Sequence, residues 1–159
     1  MYGAELYQAD GQLVAEKVYV KASTTITKGD FITLEYDSTN KHGVVDMAAT
    51  GERIYGVANE TVTQGASVIE KIEILLAGNH SWKVDNDNDT NTFGADAAGA
   101  KGMGMVFDIT GTTGAQLVDT STGADGQNTA NSAQLICVND TPDASDTSIG
   151  IFKVFEKQY

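Results

Sequence analysis

Val68-Ile69-Glu70-Lys71-Ile72-Glu73-Ile74-Leu75-Leu76 is the stretch whose reading decides the fold class. In an extended chain successive side chains point to opposite faces, so Val68, Glu70, Ile72, Ile74 and Leu76 share one face and Ile69, Lys71, Glu73 and Leu75 the other. Four of the nine residues are Val or Ile, which fit a pleated surface better than a helix. The run predicts a strand along which burial switches from face to face.

Working outward, the same rhythm recurs. Towards the N-terminus lie Arg53 to Val62, then Val44-Val45-Asp46-Met47, then Phe31-Ile32-Thr33-Leu34-Glu35-Tyr36 behind a turn at Thr27-Lys28-Gly29-Asp30, and finally Gln12 to Val20. Towards the C-terminus His80 to Val84 reads as a short strand, followed by Asp85 to Thr92, which holds only Asp, Asn and Thr and must be a surface loop. Phe93 to Lys101 offers at most one helical turn. Gly104 to Ile109, Ala115 to Asp119, Ser132 to Val138 and Ile149 to Phe155 complete the strands, joined by longer loops at Thr120 to Asn131 and Asn139 to Asp146.

No helix long enough to cross between parallel strands is predicted, so an α/β fold is a poor fit. The reading is all-β, an antiparallel barrel or sandwich with long polar loops. Residues 1–12 are expected to be an N-terminal arm that orders against a neighbour, 13–84 a β-barrel module, and 85–101 a polar loop or linker. Residues 102–159 are then a C-terminal β module packed on the first or completing it, which leaves one barrel or two small ones.

The 159 residues carry a formal net charge of -12, with only ten Lys and Arg and no cluster among them. Nucleic-acid backbones and anionic membrane surfaces both call for a cationic patch, so neither is expected as a partner. No window approaches the roughly 20 apolar residues of a spanning helix. The opening Met1-Tyr2-Gly3-Ala4-Glu5 lacks the basic and apolar regions of a signal peptide. Cys137 is the one cysteine, so no intrachain disulfide forms, which suits a reducing cytoplasm.

Residues with chemical potential are few. His42 and His80 lie in different turns without metal-ligand spacing. Cys137, inside Leu135-Ile136-Cys137-Val138, reads as packing, and no cation sits nearby in sequence to lower its pKa. No nucleophile, base and orienting group assemble from these, so no catalytic residue and no cofactor are assigned. Asp85-Asn86-Asp87-Asn88-Asp89 begins like a calcium loop, making Asp85, Asp87 and Asp89 a weak metal candidate. Thr90 stands where such a loop needs glycine, and Asp96 where it needs glutamate. Lys28-Gly29-Asp30 is read as a turn rather than an adhesion tripeptide. Trp82 and the tyrosines Tyr7, Tyr19, Tyr36, Tyr55 and Tyr159 would stack sugars if several shared an exposed face, and otherwise fill a core or subunit contact.

Ile26-Thr27-Lys28-Gly29-Asp30-Phe31-Ile32 followed by Arg53-Ile54-Tyr55-Gly56-Val57-Ala58 resembles a pattern of small capsid decoration, or cement, proteins of tailed bacteriophages, in which an I-x-x-G-D hairpin precedes an i-x-G-V-a strand. Gly104 to Ile109, Ala115 to Asp119 and the final Ile149 to Phe155 are similar to the second half of some of these proteins. The resemblance implies a β-barrel or β-tulip module, often a homotrimer, that binds the major capsid protein on the outer surface of the head and reinforces the lattice. It also implies assembly in the host cytoplasm and a final location on the virion. A carbohydrate- or receptor-binding β module, with Trp82 as its platform, is the alternative.

Overall fold

The computed structural model describes residues 3–67, 70–87, 102–125, 134–139 and 149–155. In chain order the strands are β1 (Glu5–Gln8), β2 (Ala15–Val20), β3 (Thr25–Ile26), β4 (Phe31–Asp37), β5 (His42–Met47), β6 (Gly56–Ala58) and β7 (Val62–Thr63). They continue with β8 (Lys71–Leu76), β9 (Ser81–Asp85), β10 (Met105–Thr110), β11 (Leu117–Asp125), β12 (Leu135–Asn139) and β13 (Ile149–Val154). Every regular element among the described residues is a strand, and the fold is all-β.

β2, β5, β4, β6 and β8, in that order, close into a barrel. A closed ring with an odd number of strands cannot alternate direction all the way round, so at least one neighbouring pair must be parallel. That pair is β2–β5, with Tyr19 opposite Val44 and Val20 opposite Val45, and the other four pairings are antiparallel. The mainly antiparallel barrel read from the sequence is present, and this one parallel pair closes it. A tight hairpin cannot join parallel strands, and β3 and β4 accordingly lie between β2 and β5 in the chain.

The remaining long strands form one sheet in the order β1-β9-β13-β12-β10-β11. β1 pairs with β9, Leu6 lying opposite Trp82, so residues 5–8 are an edge strand of this chain's own sheet rather than a free arm. β9 belongs to the same sheet, and the passage from barrel to sheet falls between Leu76 and Ser81, ahead of the expected division at 84/85. Most of the 85–101 segment, the helical turn expected at 93–101 and the Pro142 loop lie outside the described residues.

Two cores follow from strand alternation. Ile32 on β4, Val45 on β5, Ala58 on β6 and Ile72 and Ile74 on β8 fill the barrel. Their neighbours on the opposite face, Phe31, Val57 and Leu75, point outwards and pack with Trp82, Phe107, Leu135 and Phe152 of the sheet. Phe107 and Phe152 meet edge to face with ring centroids 5.9 Å apart. The switch of burial along 71–76 therefore has a cause: one face looks into the barrel, and the other meets the sheet at Leu75 and solvent at Lys71.

Polar bolts cross this junction. Gln116 accepts from Phe31 N at 2.6 Å and donates to Ala48 O at 2.8 Å. Gln134 accepts from Ile109 N at 2.9 Å and donates to Ala49 O at 2.8 Å and Glu52 O at 2.6 Å. Both glutamines are buried, and each side-chain amide ties backbone of the barrel half to the sheet, so neither leaves its polar atoms stranded.

Gly56 opens β6 where β8 passes so close that a Cβ would lie 2.4 Å from Leu75 O. Gly56→Ala is expected to cost about 2–3 kcal/mol, because the obstacle is backbone and cannot swing aside. The midpoint of urea unfolding checks this, and an unchanged midpoint would mean that β6 and β8 can separate freely.

Candidate functional site

The residues singled out in the sequence do not converge. His42 opens β5 in the barrel and stacks on Tyr19 with centroids 4.5 Å apart, while Lys71 Nζ lies 4.6 Å from the centre of the same tyrosine ring. His80 precedes β9, is 4 % exposed, and its Nδ1 accepts from Asp10 N at 3.0 Å. Cys137 is buried on β12 in the core between barrel and sheet. Among the described residues no three His, Cys, Asp or Glu side chains come together as metal ligands.

Of the calcium candidates, Asp89 lies outside the described residues. Asp85 Oδ1 accepts from Asn86 N, and Asp87 Oδ1 accepts from the Thr120 hydroxyl at 2.9 Å and from its N–H at 3.4 Å. With Asp87 N donating to Val118 O, the start of this loop is bound to the flank of β11.

Lys28-Gly29-Asp30 is a structural joint. Asp30 is wholly buried, its Oδ2 accepting from Thr27 N at 2.8 Å and the Thr113 hydroxyl at 2.6 Å, its Oδ1 from Gly114 N at 2.8 Å. Gly29 has φ +92, and Gly3 packs so tightly on it that a Cβ at Gly3 would lie 2.8 Å from Gly29 O. Trp82 is 1 % exposed in the junction core. The expected sugar platform at Trp82 is therefore corrected, since an indole enclosed on both faces offers none to a ligand.

The large concavity that the structure presents lies elsewhere, at the end of the barrel where the β4–β5 hairpin faces the segment before β8. It is an open groove of about 650 Å³ whose lining residues include Val44 and Tyr36, the latter 70 % exposed. Along its wall Lys21 Nζ donates to Asp46 Oδ2 at 2.8 Å and pairs with Glu35 Oε2 at 2.9 Å. These contacts, Asp46 foremost, hold the ammonium well above the usual lysine range, so Lys21 is a fixed cation and donor rather than a nucleophile. The hairpin turn is closed by Asp37, which accepts from Thr39 N at 2.8 Å, Asn40 N at 3.2 Å and Asn40 Nδ2 at 2.8 Å. These bonds, led by the one from the Asn40 side chain, draw the Asp37 carboxyl below its ordinary value. Nothing in the sequence marked Tyr36 above the other tyrosines.

A second pairing concerns stability. Asp108 and Asp119 stand directly opposite on β10 and β11, and Asp108 Oδ1 is buried with no hydrogen-bond partner among the described residues. Burial, and secondarily the Asp119 charge, push the Asp108 carboxyl above the usual aspartate range. The folded state thus holds this proton more tightly than the unfolded chain, and stability falls as pH rises from the ordinary Asp value upward. Asp108→Asn is expected to stabilise the protein at neutral pH by less than about 1 kcal/mol and to have no effect near pH ~3, where both states are protonated. Urea midpoints at the two pH values check this, and equal shifts at both would exclude charge as the cause.

Fold and site together define an all-β protein in which a five-stranded barrel is bolted to a six-stranded sheet, with a polar groove at the hairpin end of the barrel. Scans against protein-family models, curated proteins and solved structures return no match to this chain.

Proposed function

We propose that this protein is a structural virion component that binds the outer surface of a phage head and reinforces its lattice. The observation that carries this reading is that the two separate segments bearing the resemblance are one unit in space. Phe31 pairs with Val57 and Ile32 with Gly56, so Ile26 to Ile32 and Arg53 to Ala58 meet as adjacent strands of a closed barrel. Each residue type in the pattern has a physical duty there. Gly29 holds a positive φ, Asp30 bolts the turn, Gly56 admits the backbone of β8, and Val57 joins the junction core.

The remaining physics agrees with a lattice-binding role. A net charge of -12 keeps free copies apart, and symmetric copies on a lattice would multiply weak contacts through avidity. The experiment is light scattering of the purified protein followed by pelleting with undecorated heads. A trimer that co-sediments saturably with heads is the expected result, and a monomer that stays in the supernatant would overturn the reading.

A further inference from the structure

Without β1, the six-stranded sheet repeats the barrel strand for strand. β9, β10, β11, β12 and β13 neighbour one another as β2, β4, β5, β6 and β8 do, with the same four antiparallel pairings. The parallel seam recurs too, since Asn86 bridges Val118 as Val20 pairs with Val45. Single bonds match as well. Lys21 N donates to Val45 O and Asp87 N to Val118 O, both at 3.0 Å, and Gly29 N donates to Ala58 O and Gly104 N to Cys137 O, both at 2.9 Å. Gly29 and Gly104 have φ +92 and +87. The two halves are one strand arrangement used twice.

The halves differ along one edge. β1 runs antiparallel to β9, with Glu5 opposite Lys83, Leu6 opposite Trp82 and Gln8 opposite Ser81. Stepping back along the strands from the matched pair Lys21 and Asp87 makes Lys17 the counterpart of Lys83, Glu16 of Trp82 and Ala15 of Ser81. No described strand lies beside these three, because β2 meets β5 only at Tyr19 and Val20. Ala15, Glu16 and Lys17 are exposed, whereas Ser81 and Trp82 are buried. On its other side β2 bonds β8 through alternate residues, Val14 O accepting from Leu76 N and Val20 N donating to Glu70 O. The N–H and C=O groups of Ala15 and Lys17 therefore face the gap, unpaired among the described residues.

We propose that this edge is completed by an extended strand of a partner polypeptide, antiparallel to β2, with an acidic residue opposite Lys17 and a basic one opposite Glu16. Backbone bonds to a free edge supply affinity, and the side chains opposite it supply specificity. The filled edge shows the occupant: β1 is such a strand, and its Glu5 lies opposite Lys83. Lys17 keeps that ammonium at the open edge, where its Nζ gives one bond to Glu60 at 3.3 Å and has two donors to spare. Glu16 stands where Trp82 stands in the other half. Its Oε2 accepts from the Tyr55 hydroxyl at 2.6 Å, and its Oε1 accepts from no described residue. An apolar residue opposite would cover that carboxylate without satisfying it, while Lys or Arg pairs with it. A second copy is a poor partner. Its β1 is taken up by its own β9, and two β2 edges laid with Glu16 on Glu16 or Lys17 on Lys17 set like charges opposite each other.

The test is an NMR titration of the full-length ¹⁵N-labelled chain with a synthetic peptide of residues 3–10 carrying Leu6→Lys, which presents Glu to Lys17 and Lys to Glu16. Saturable shifts of the 15–18 amides are expected, with Kd near ~1 mM. The same peptide N-methylated at its Glu loses the N–H that bonds Lys17 O and should bind about tenfold more weakly or worse. Lys17→Glu in the protein should weaken binding by a similar factor. Lys17→Pro removes an N–H on the free side alone, so it should keep the emission of the buried Trp82 and abolish binding. Loss of that emission would mean that the Lys17 N–H is already bonded within the chain, and overturns the proposal. Silence of 15–18, or an unchanged Kd with the N-methylated peptide, overturns it too. So do shifts at 81–85 instead, where the peptide would be displacing β1, and shifts at 15–18 on raising the protein concentration alone, where a second copy would be pairing. Heads take no part in this measurement, so its failure and that of the capsid reading are read separately.

Discussion

Replacing Asp30 by Ala is expected to lower the stability of the protein by about 3–4 kcal/mol, out of the 5–15 kcal/mol typical of folded domains. The carboxylate is wholly buried and accepts from Thr27 N, the Thr113 hydroxyl and Gly114 N at 2.6–2.8 Å. Its removal strands those donors beneath the junction, and a stranded polar group costs more than a hydrogen bond contributes. The loss is not local. Thr27 belongs to the turn entering the barrel and Thr113 and Gly114 to the connection between β10 and β11, so the substitution unpins the two halves from one another. Asp30→Asn keeps an acceptor but turns an NH₂ towards one of the donors, and should fall between wild type and Asp30→Ala. Urea unfolding followed by tryptophan emission measures this. A midpoint change worth less than about 1 kcal/mol in Asp30→Ala would show that water replaces the carboxylate and that the bolt is dispensable.

Trp82→Ala is expected to cost about 3–5 kcal/mol, the range for a large aromatic truncated in a packed core. Trp82 is 1 % exposed and lies where β1, β9 and β13 run side by side, opposite Leu6 on one neighbour and Phe152 on the other. An alanine there leaves a void that rigid strands on both sides cannot close. Trp82→Phe makes a sharper test. The indole Nε1–H is buried without a hydrogen-bond partner among the described residues, so phenylalanine gives up apolar area but also removes an unsatisfied donor. The two effects oppose each other, and the net cost should stay below about 1.5 kcal/mol. Circular-dichroism melts suit both variants, since the reporting tryptophan is gone. A loss in Trp82→Phe as large as in Trp82→Ala would mean that the indole N–H has a partner after all.

The elements that could be read from the sequence are those whose side chains record a two-residue period. β4 and β8 are of this kind, because each must satisfy a barrel interior on one face and a second environment on the other. β1 was not legible: Glu5-Leu6-Tyr7-Gln8 is mostly exposed, buries little, and becomes a strand through the partner it finds in β9. The parallel closure of the barrel was hidden as well, since alternation along a strand says nothing about the direction of its neighbour.

The candidate site divides in the same way. The Gly-Asp turn could be located from its residues, but two of the three partners of Asp30 lie 83 and 84 positions along the chain and nothing near Asp30 announces them. Tyr36 and Trp82 each stand among polar and charged neighbours in the sequence, yet one is 70 % exposed and the other 1 %. The sequence by itself determined that this chain would make strands, turn at 27–30, carry an acidic surface and hold no disulfide. Backbone geometry and composition act within a few residues, and they suffice for that much. Which aromatic is enclosed, which carboxylate becomes a bolt and where a groove opens were decided only by the tertiary structure. Those outcomes depend on which strands are brought together across the chain, and that pairing is chosen by the packing of all of them at once.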